Sequence, residues 1–155
     1  MSSRWPVADI DSVRRLRIMA AVVSGATVSE RVIDASLERV WAVLADFPHG
    51  FAQVQPDMRD VRVVERAGDQ IVVRAVSKHG MRARLYGTER PGWCWLQSRF
   101  LIIAMAAAPE RDGRTRVALT GGVRIPGRAA IVPVGARREA RRTLNRLETL
   151  LDTHR

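Results

Sequence analysis

Residues 30–47, ERVIDASLERVWAVLADF, constrain this chain more than any other stretch. Val28, Arg31, Val32 and Ile33 form a short β-prone run. A helix must come next. Asp34 or Ser36 can accept its first free backbone N–H groups, and Glu38 in the first turn suits the helix dipole. Val40, Trp41, Val43 and Leu44 then recur at helical spacing. Phe47-Pro48 ends the run, because a residue before proline avoids the α region. The chain is therefore committed early to a strand that turns directly into an amphipathic helix.

Beyond Pro48 the pattern reads as a second short helix near residues 50–55, a long antiparallel meander, and one long terminal helix. Strands are expected over residues 61–66, 71–76, 81–89, 93–100, 101–107 and 115–123. Ala67-Gly68-Asp69, His79-Gly80, Pro91-Gly92 and Arg111-Asp112-Gly113-Arg114 supply the turns. Residues 98–101 hold no clear turn residue, so the fifth and sixth strands can equally be one bent strand. Gly121-Gly122 suggests a bulge, and Pro126-Gly127 opens an irregular stretch. A helix from about Val134 to Asp152 carries Ala136, Ala140, Leu144, Leu147 and Leu151 on one stripe. Its other side carries Arg137, Arg138, Arg141, Arg142 and Arg146. Near the start of the chain, Asp11 or Ser12 caps a further helix with the stripe Val13, Leu16, Met19, Ala20 and Val23, stopped by Gly25.

The strand–helix entry with its Val40-Trp41 pair, the Asp46-Phe47-Pro48 exit and this element order resemble the START-like superfamily, also called SRPBCC or polyketide cyclase/dehydrase. The resemblance covers residues 28–152. It implies an α+β helix-grip fold: a curved antiparallel sheet of six to seven strands wrapped around a long C-terminal helix, with two short helices after the first strand. Residues 1–26 form an added N-terminal helical extension and residues 27–155 the ligand-binding domain. The superfamily carries lipids, binds hormones, and cyclises or dehydrates polyketides, so the resemblance speaks to fold more than to activity.

A helix-grip fold leaves a cavity between sheet and last helix, and period-2 alternation says which side chains face it. In the fourth strand Met81, Ala83, Leu85 and Gly87 share a face, with Arg82, Arg84 and Tyr86 opposite; burying unpaired arginines is costly. Across the Pro91-Gly92 turn, Cys94, Leu96 and Ser98 then point inward. Parity adds Ile102, Ala104, Ala106, Val117, Leu119 and Gly121, and the last helix adds Ala140 and Leu144. The expected ligand-binding lining is Ala83, Leu85, Gly87, Leu96, Ala104, Leu119, Gly121, Ala140 and Leu144. It is apolar and rich in small residues, as ligand pockets are. On the same parity Trp93, Trp95, Ile103 and Met105 face outward, against the N-terminal helix or a second copy of the chain.

Groups for catalysis are few. Glu89 falls on the inward parity, where a carboxyl among apolar side chains has the chemistry of a general acid; Ser98 is its polar companion. Glu65 shares parity with Val61 and Val63. His49 lies in the loop between the short helices, His79 on a hairpin tip and His154 at the chain end. No metal-ligand spacing, nucleophilic triad or phosphate-binding loop stands out, so no metal or cofactor is expected. The lone Cys94 cannot make an internal disulfide and reads as a core residue.

The net charge is +10, nearly all of it arginine, with Lys78 the one lysine. It is either a solvated surface or a dock for an acidic partner such as an acyl carrier protein. Nucleic acid is a poorer fit, since aromatics make up only 5% of the chain and none interleave with the basic residues. The longest apolar run is far short of the roughly 20 residues a membrane span needs, and a cytoplasmic protein is expected. The sequence thus points to binding of a small hydrophobic or polycyclic molecule. The alternatives are a polyketide cyclase/aromatase or dehydratase acting on a carrier-tethered chain, and a dimeric interaction module with a filled core.

Overall fold

The computed structural model describes residues 10–55, 57–124, 131–132 and 136–153. The opening residues, the Pro126-Gly127 stretch, the residue 134 helix start and His154 lie outside them. In chain order the elements are α1 (Ser12–Ala21), β1 (Thr27–Ile33), α2 (Leu37–Leu44), a π-helical turn (Phe47–Phe51) running into α3 (Ala52–Val54), and β2 (Met58–Ala67). Then come β3 (Gln70–Ser77), β4 (Arg82–Arg90), β5 (Trp93–Gln97), β6 (Leu101–Pro109), β7 (Thr115–Arg124), the two-residue β8 (Ile131–Val132) and α4 (Ala136–Thr153). Every strand pairing is antiparallel. The order across the sheet is β1-β7-β6-β5-β4-β3-β2, with β8 on β7. The meander β2–β7 is sequential, and β1 closes the far side by pairing with β7.

The caps are those the sequence calls for. Ser36 Oγ accepts from Arg39 N at 3.3 Å, and Asp11 Oδ1 accepts from Arg14 N at 2.9 Å. α4 lies against the inner sheet face. Its Leu144, Leu147 and Leu151 are buried with Val40, Trp41 and Leu44 of α2 and with Ile71, Val73, Leu85, Leu96 and Val117 of the sheet. Each leucine contributes about 1.5–3 kcal/mol. That outweighs repulsion among the helix's arginines at about 0.2–0.5 kcal/mol per pair.

The outer face carries a second core. α1 lays Val13, Leu16 and Ala20 on the sheet, and the first two join Trp93, Trp95, Ala104, Ala106 and Ala118 in one buried cluster. Trp93 and Trp95 stack at 6.4 Å, and the Arg15 guanidinium lies 5.4 Å from the Trp93 ring. The outward tryptophans are thus covered by this chain's own helix.

One open point is settled and one expectation needs correction. β5 and β6 are separate strands: Ser98 N donates to Leu101 O at 2.8 Å, and Ser98 Oγ accepts from Leu101 N at 3.0 Å and Phe100 N at 3.2 Å. The serine makes the turn without glycine or proline. Gly121-Gly122 sits in unbroken register with β6 and forms no bulge. The register shifts fall in β2 instead, between Met58 and Asp60 and between Val63 and Glu65.

Candidate functional site

A cavity of about 1480 Å³, open to solvent, lies between the inner sheet face and the first half of α4. Phe51, Ile71, Ala75, Ile103, Met105, Leu119 and Ala140 give it an apolar wall, and Gln55, Asp57, Glu139 and Thr143 line its rim. A second opening follows from strand length. β5 stops at Gln97, which pairs with Tyr86, so residues 82–85 of β4 have no strand partner on that side among the described residues. There, outer-face residues such as Tyr86, Thr88 and Ile102 border the same space as Ala83 and Gly87.

The expected lining is only partly where alternation put it. Ala83, Gly87, Leu119, Gly121 and Ala140 border the cavity. Leu85, Leu96 and Leu144 face inward but are packed into the core beneath it. Ala104 belongs to the outer cluster under α1, although it also borders the cavity. With it Ile102 and Ala106 face outward, while Ile103 and Met105 face inward. The cause is the β5–β6 connection. Four residues separate the last paired residues, Gln97 and Ile102. An even-numbered loop pairs even with odd positions, as in Cys94 with Met105 and Leu96 with Ile103.

Gly87 has a backbone reason. A Cβ there would lie 1.7 Å from the Trp95 carbonyl oxygen, so no side chain fits without moving β5.

The two expected catalytic groups are occupied. Glu89 faces inward and is buried, but its Oε1 accepts from Trp41 Nε1 at 3.0 Å and its Oε2 from Arg66 Nη2 at 2.9 Å. Ser98 borders the cavity, and its hydroxyl accepts the two turn amides. The β2 bulge places Arg66 where it can reach Glu89 and turns Glu65 outward to Arg84 Nη2 at 2.7 Å. His49 is exposed, its Nδ1 3.2 Å from Asp46 Oδ1. Cys94 is buried beside this network; burial first, and Glu89 second, push its thiol far above the usual range, so it is inert at neutral pH.

Sequence reasoning passed over the rim. Asp57, just before β2, and Glu139, in the first turn of α4, meet through a side-chain hydrogen bond. That contact, then burial and the Asp57 charge, raise the Glu139 carboxyl to about 7. Asp57 is held below the usual carboxylate range by the same hydrogen bond and by Lys78, whose Nζ is 2.9 Å away. Beside them Thr143 Oγ1 donates to Gln55 Oε1 at 2.8 Å. The available signal was spacing: Glu139 and Thr143 are four apart and flank Ala140 of the inward stripe. Among the described residues, no group of three or more His, Cys, Asp or Glu side chains could hold a metal ion.

No protein-family model and no curated protein matches the chain. Solved structures do. The Zhui aromatase/cyclase from Streptomyces sp. R1128 superposes with a TM-score of 0.61 at 20% identity, over 82% of this chain and 93% of that one. A START superfamily protein from Mycobacterium smegmatis gives 0.56 at 17% identity, over 84% and 99%. A protein from Nitrosospira multiformis gives 0.63 at 16% identity, over 84% and 99%. At such identities the likeness speaks for architecture. Together with the sheet order, the inner α4 and the two short helices after β1, it gives this chain the START-like helix-grip fold.

Proposed function

We propose that this protein binds a small hydrophobic or polycyclic molecule in the cavity between the sheet and α4, as an intracellular carrier or sensor. The observation that carries the reading is the cavity itself. Its volume exceeds the roughly 300–1,000 Å³ of common ligand pockets, and its wall is mostly apolar. A module with a filled interior fits this observation poorly. Glu89 and Ser98 support binding over chemistry, because both already hold structure in place. The test is uptake of the uncharged dye Nile red. Saturable binding by the unmodified protein, lost in Ala140→Trp with the fold intact, is the expected result. Equal binding by both forms would place the dye elsewhere.

A second reading has one observation in its favour. Glu139 borders the apolar cavity with its carboxyl raised to about 7 by Asp57 and by burial, which suits a general acid for dehydration or cyclisation of an oxygen-rich chain. Such a substrate would arrive on an acidic carrier protein, for which the exposed arginines of α4 are the natural dock. Turnover of a polyketide-like substrate by the unmodified protein, abolished in Glu139→Gln, would favour this reading.

A further inference from the structure

Most of the charged residues that border the cavity already have partners. Arg84 Nη2 lies 2.7 Å from Glu65 Oε1, and Arg66 Nη2 lies 2.9 Å from Glu89 Oε2. Asp57 is tied to Lys78 Nζ at 2.9 Å. Arg82 and Arg99 differ. Both border the cavity and are exposed, and neither has a carboxylate partner among the described residues. Outside those residues the chain holds a single acidic side chain, Asp9. Arg82 opens β4, and Arg99 stands in the turn between β5 and β6. These are the two segments that flank the opening where residues 82–85 of β4 lack a strand partner among the described residues.

The polar groups of that turn are left with donors to offer. Trp95 Nε1 donates to Gln97 Oε1 at 3.1 Å, which leaves the Gln97 NH₂ to give. Ser98 Oγ accepts from Phe100 N and Leu101 N, and its own O–H remains a donor. A recess of about 70 Å³ is lined by residues 97–102 and Gly122, all of which also border the main cavity. It has room for one small polar group. Apolar side chains border the cavity beside these donors: Met81, Tyr86 and Phe100 are 72%, 54% and 49% exposed. The Arg99 guanidinium lies 6.0 Å from the Phe100 ring.

We propose that the cavity's ligand is an amphipathic acid: its apolar body lies in the cavity, and its one anionic group, a carboxylate or a phosphate, sits at this opening against Arg82 and Arg99. The proposal rests on the reading that the cavity binds an apolar molecule, and it names the chemical class of that molecule.

Two cations without an answering acid, beside a turn rich in donors, match an anion better than a neutral group. The planar guanidinium fork suits both carboxylate and phosphate. Asp57 and Glu139 also border the cavity, and like charge keeps the acid group away from them. The molecule is thereby oriented. Its body lies against Ile71, Ile103 and Met105. Its anionic group meets water and exposed arginines, so no charge has to be buried.

The test is binding of the fluorescent dansylaminoundecanoic acid, ionised at about pH 7.5, compared with its uncharged methyl ester in low salt. The acid should bind the unmodified protein about tenfold more tightly than the ester, about threefold for each exposed arginine. Added salt should narrow the gap. Arg82→Gln with Arg99→Gln should bring the acid down to the ester's affinity, with circular dichroism unchanged because both residues are exposed. Arg90→Gln with Arg111→Gln removes two exposed arginines at the β4–β5 and β6–β7 turns and should keep the gap. An equal loss in that control would make the preference an effect of net charge and overturn the subsite. Acid and ester bound alike by the unmodified protein would also overturn it, while leaving the apolar-cavity reading standing. If neither form binds, both readings fall. Displacement of the bound acid by decanoate and by decyl phosphate then ranks the two anions; decanol displacing it as well as either would contradict the proposal.

Discussion

Replacing Glu89 separates a structural carboxylate from a catalytic one. Its side chain is buried, accepting one hydrogen bond from Trp41 Nε1 and one from Arg66 Nη2. The Trp41 bond runs to a charged acceptor inside the core, a class worth about 1.5–3 kcal/mol. Arg66 is half exposed, with 46% of its side chain accessible, so solvent screening limits that pair to at most about 1 kcal/mol. Glu89→Ala also strands a buried indole N–H. The expected loss is about 3 kcal/mol, or ~6–12 °C in Tm for a chain of this size. Glu89→Gln keeps an acceptor for Trp41 and should lose roughly a third of that. Urea unfolding followed by tryptophan fluorescence and circular dichroism gives both values, and dye binding per folded molecule should stay unchanged. A Glu89→Ala protein destabilised by less than about 0.5 kcal/mol, or one that is stable but loses a measured activity, would refute the structural assignment.

Packing and charge set three further outcomes. Leu16→Ala should cost about 2–5 kcal/mol, because Leu16 is fully buried between α1 and the tryptophan face; thermal unfolding unchanged by it would detach α1 from the fold. Gly87→Ala should destabilise by more than about 3 kcal/mol, since its Cβ would strike the Trp95 carbonyl, and a normal Tm would contradict that close approach. Arg138→Glu with Arg141→Glu should shift stability by less than about 1 kcal/mol, both being exposed. A gel-shift titration against acyl carrier proteins then reads whether this face docks them, and salt should weaken any docking.

The fold was legible because its strongest signals are local. Ser36 caps α2, the Val40-Trp41 face fills the core, and glycine turns at Gly68, Gly80, Gly92 and Gly113 all adopt positive φ. α1 was legible from one stripe. What alternation could not supply was the parity of β6, because that depends on loop length, and the turn at Ser98 is built by a side-chain hydroxyl rather than by glycine or proline. The register shift between Val63 and Glu65 in β2 reversed Glu65 and brought in Arg66, and neither event leaves a mark in composition. The rim pair was hidden for another reason. Asp57 and Glu139 are far apart in sequence and meet only when α4 closes over the sheet, so neither looks unusual alone.

Entry of an apolar ligand into the inner cavity is tested most directly by methyl NMR with Nile red. Titrating the dye should shift the methyl signals of Ile71, Ile103, Met105 and Leu119, which border the cavity. Val13 and Leu16, buried on the opposite face of the sheet, should stay still. Shifts confined to Val13 and Leu16, or no shifts at saturating dye, would contradict it.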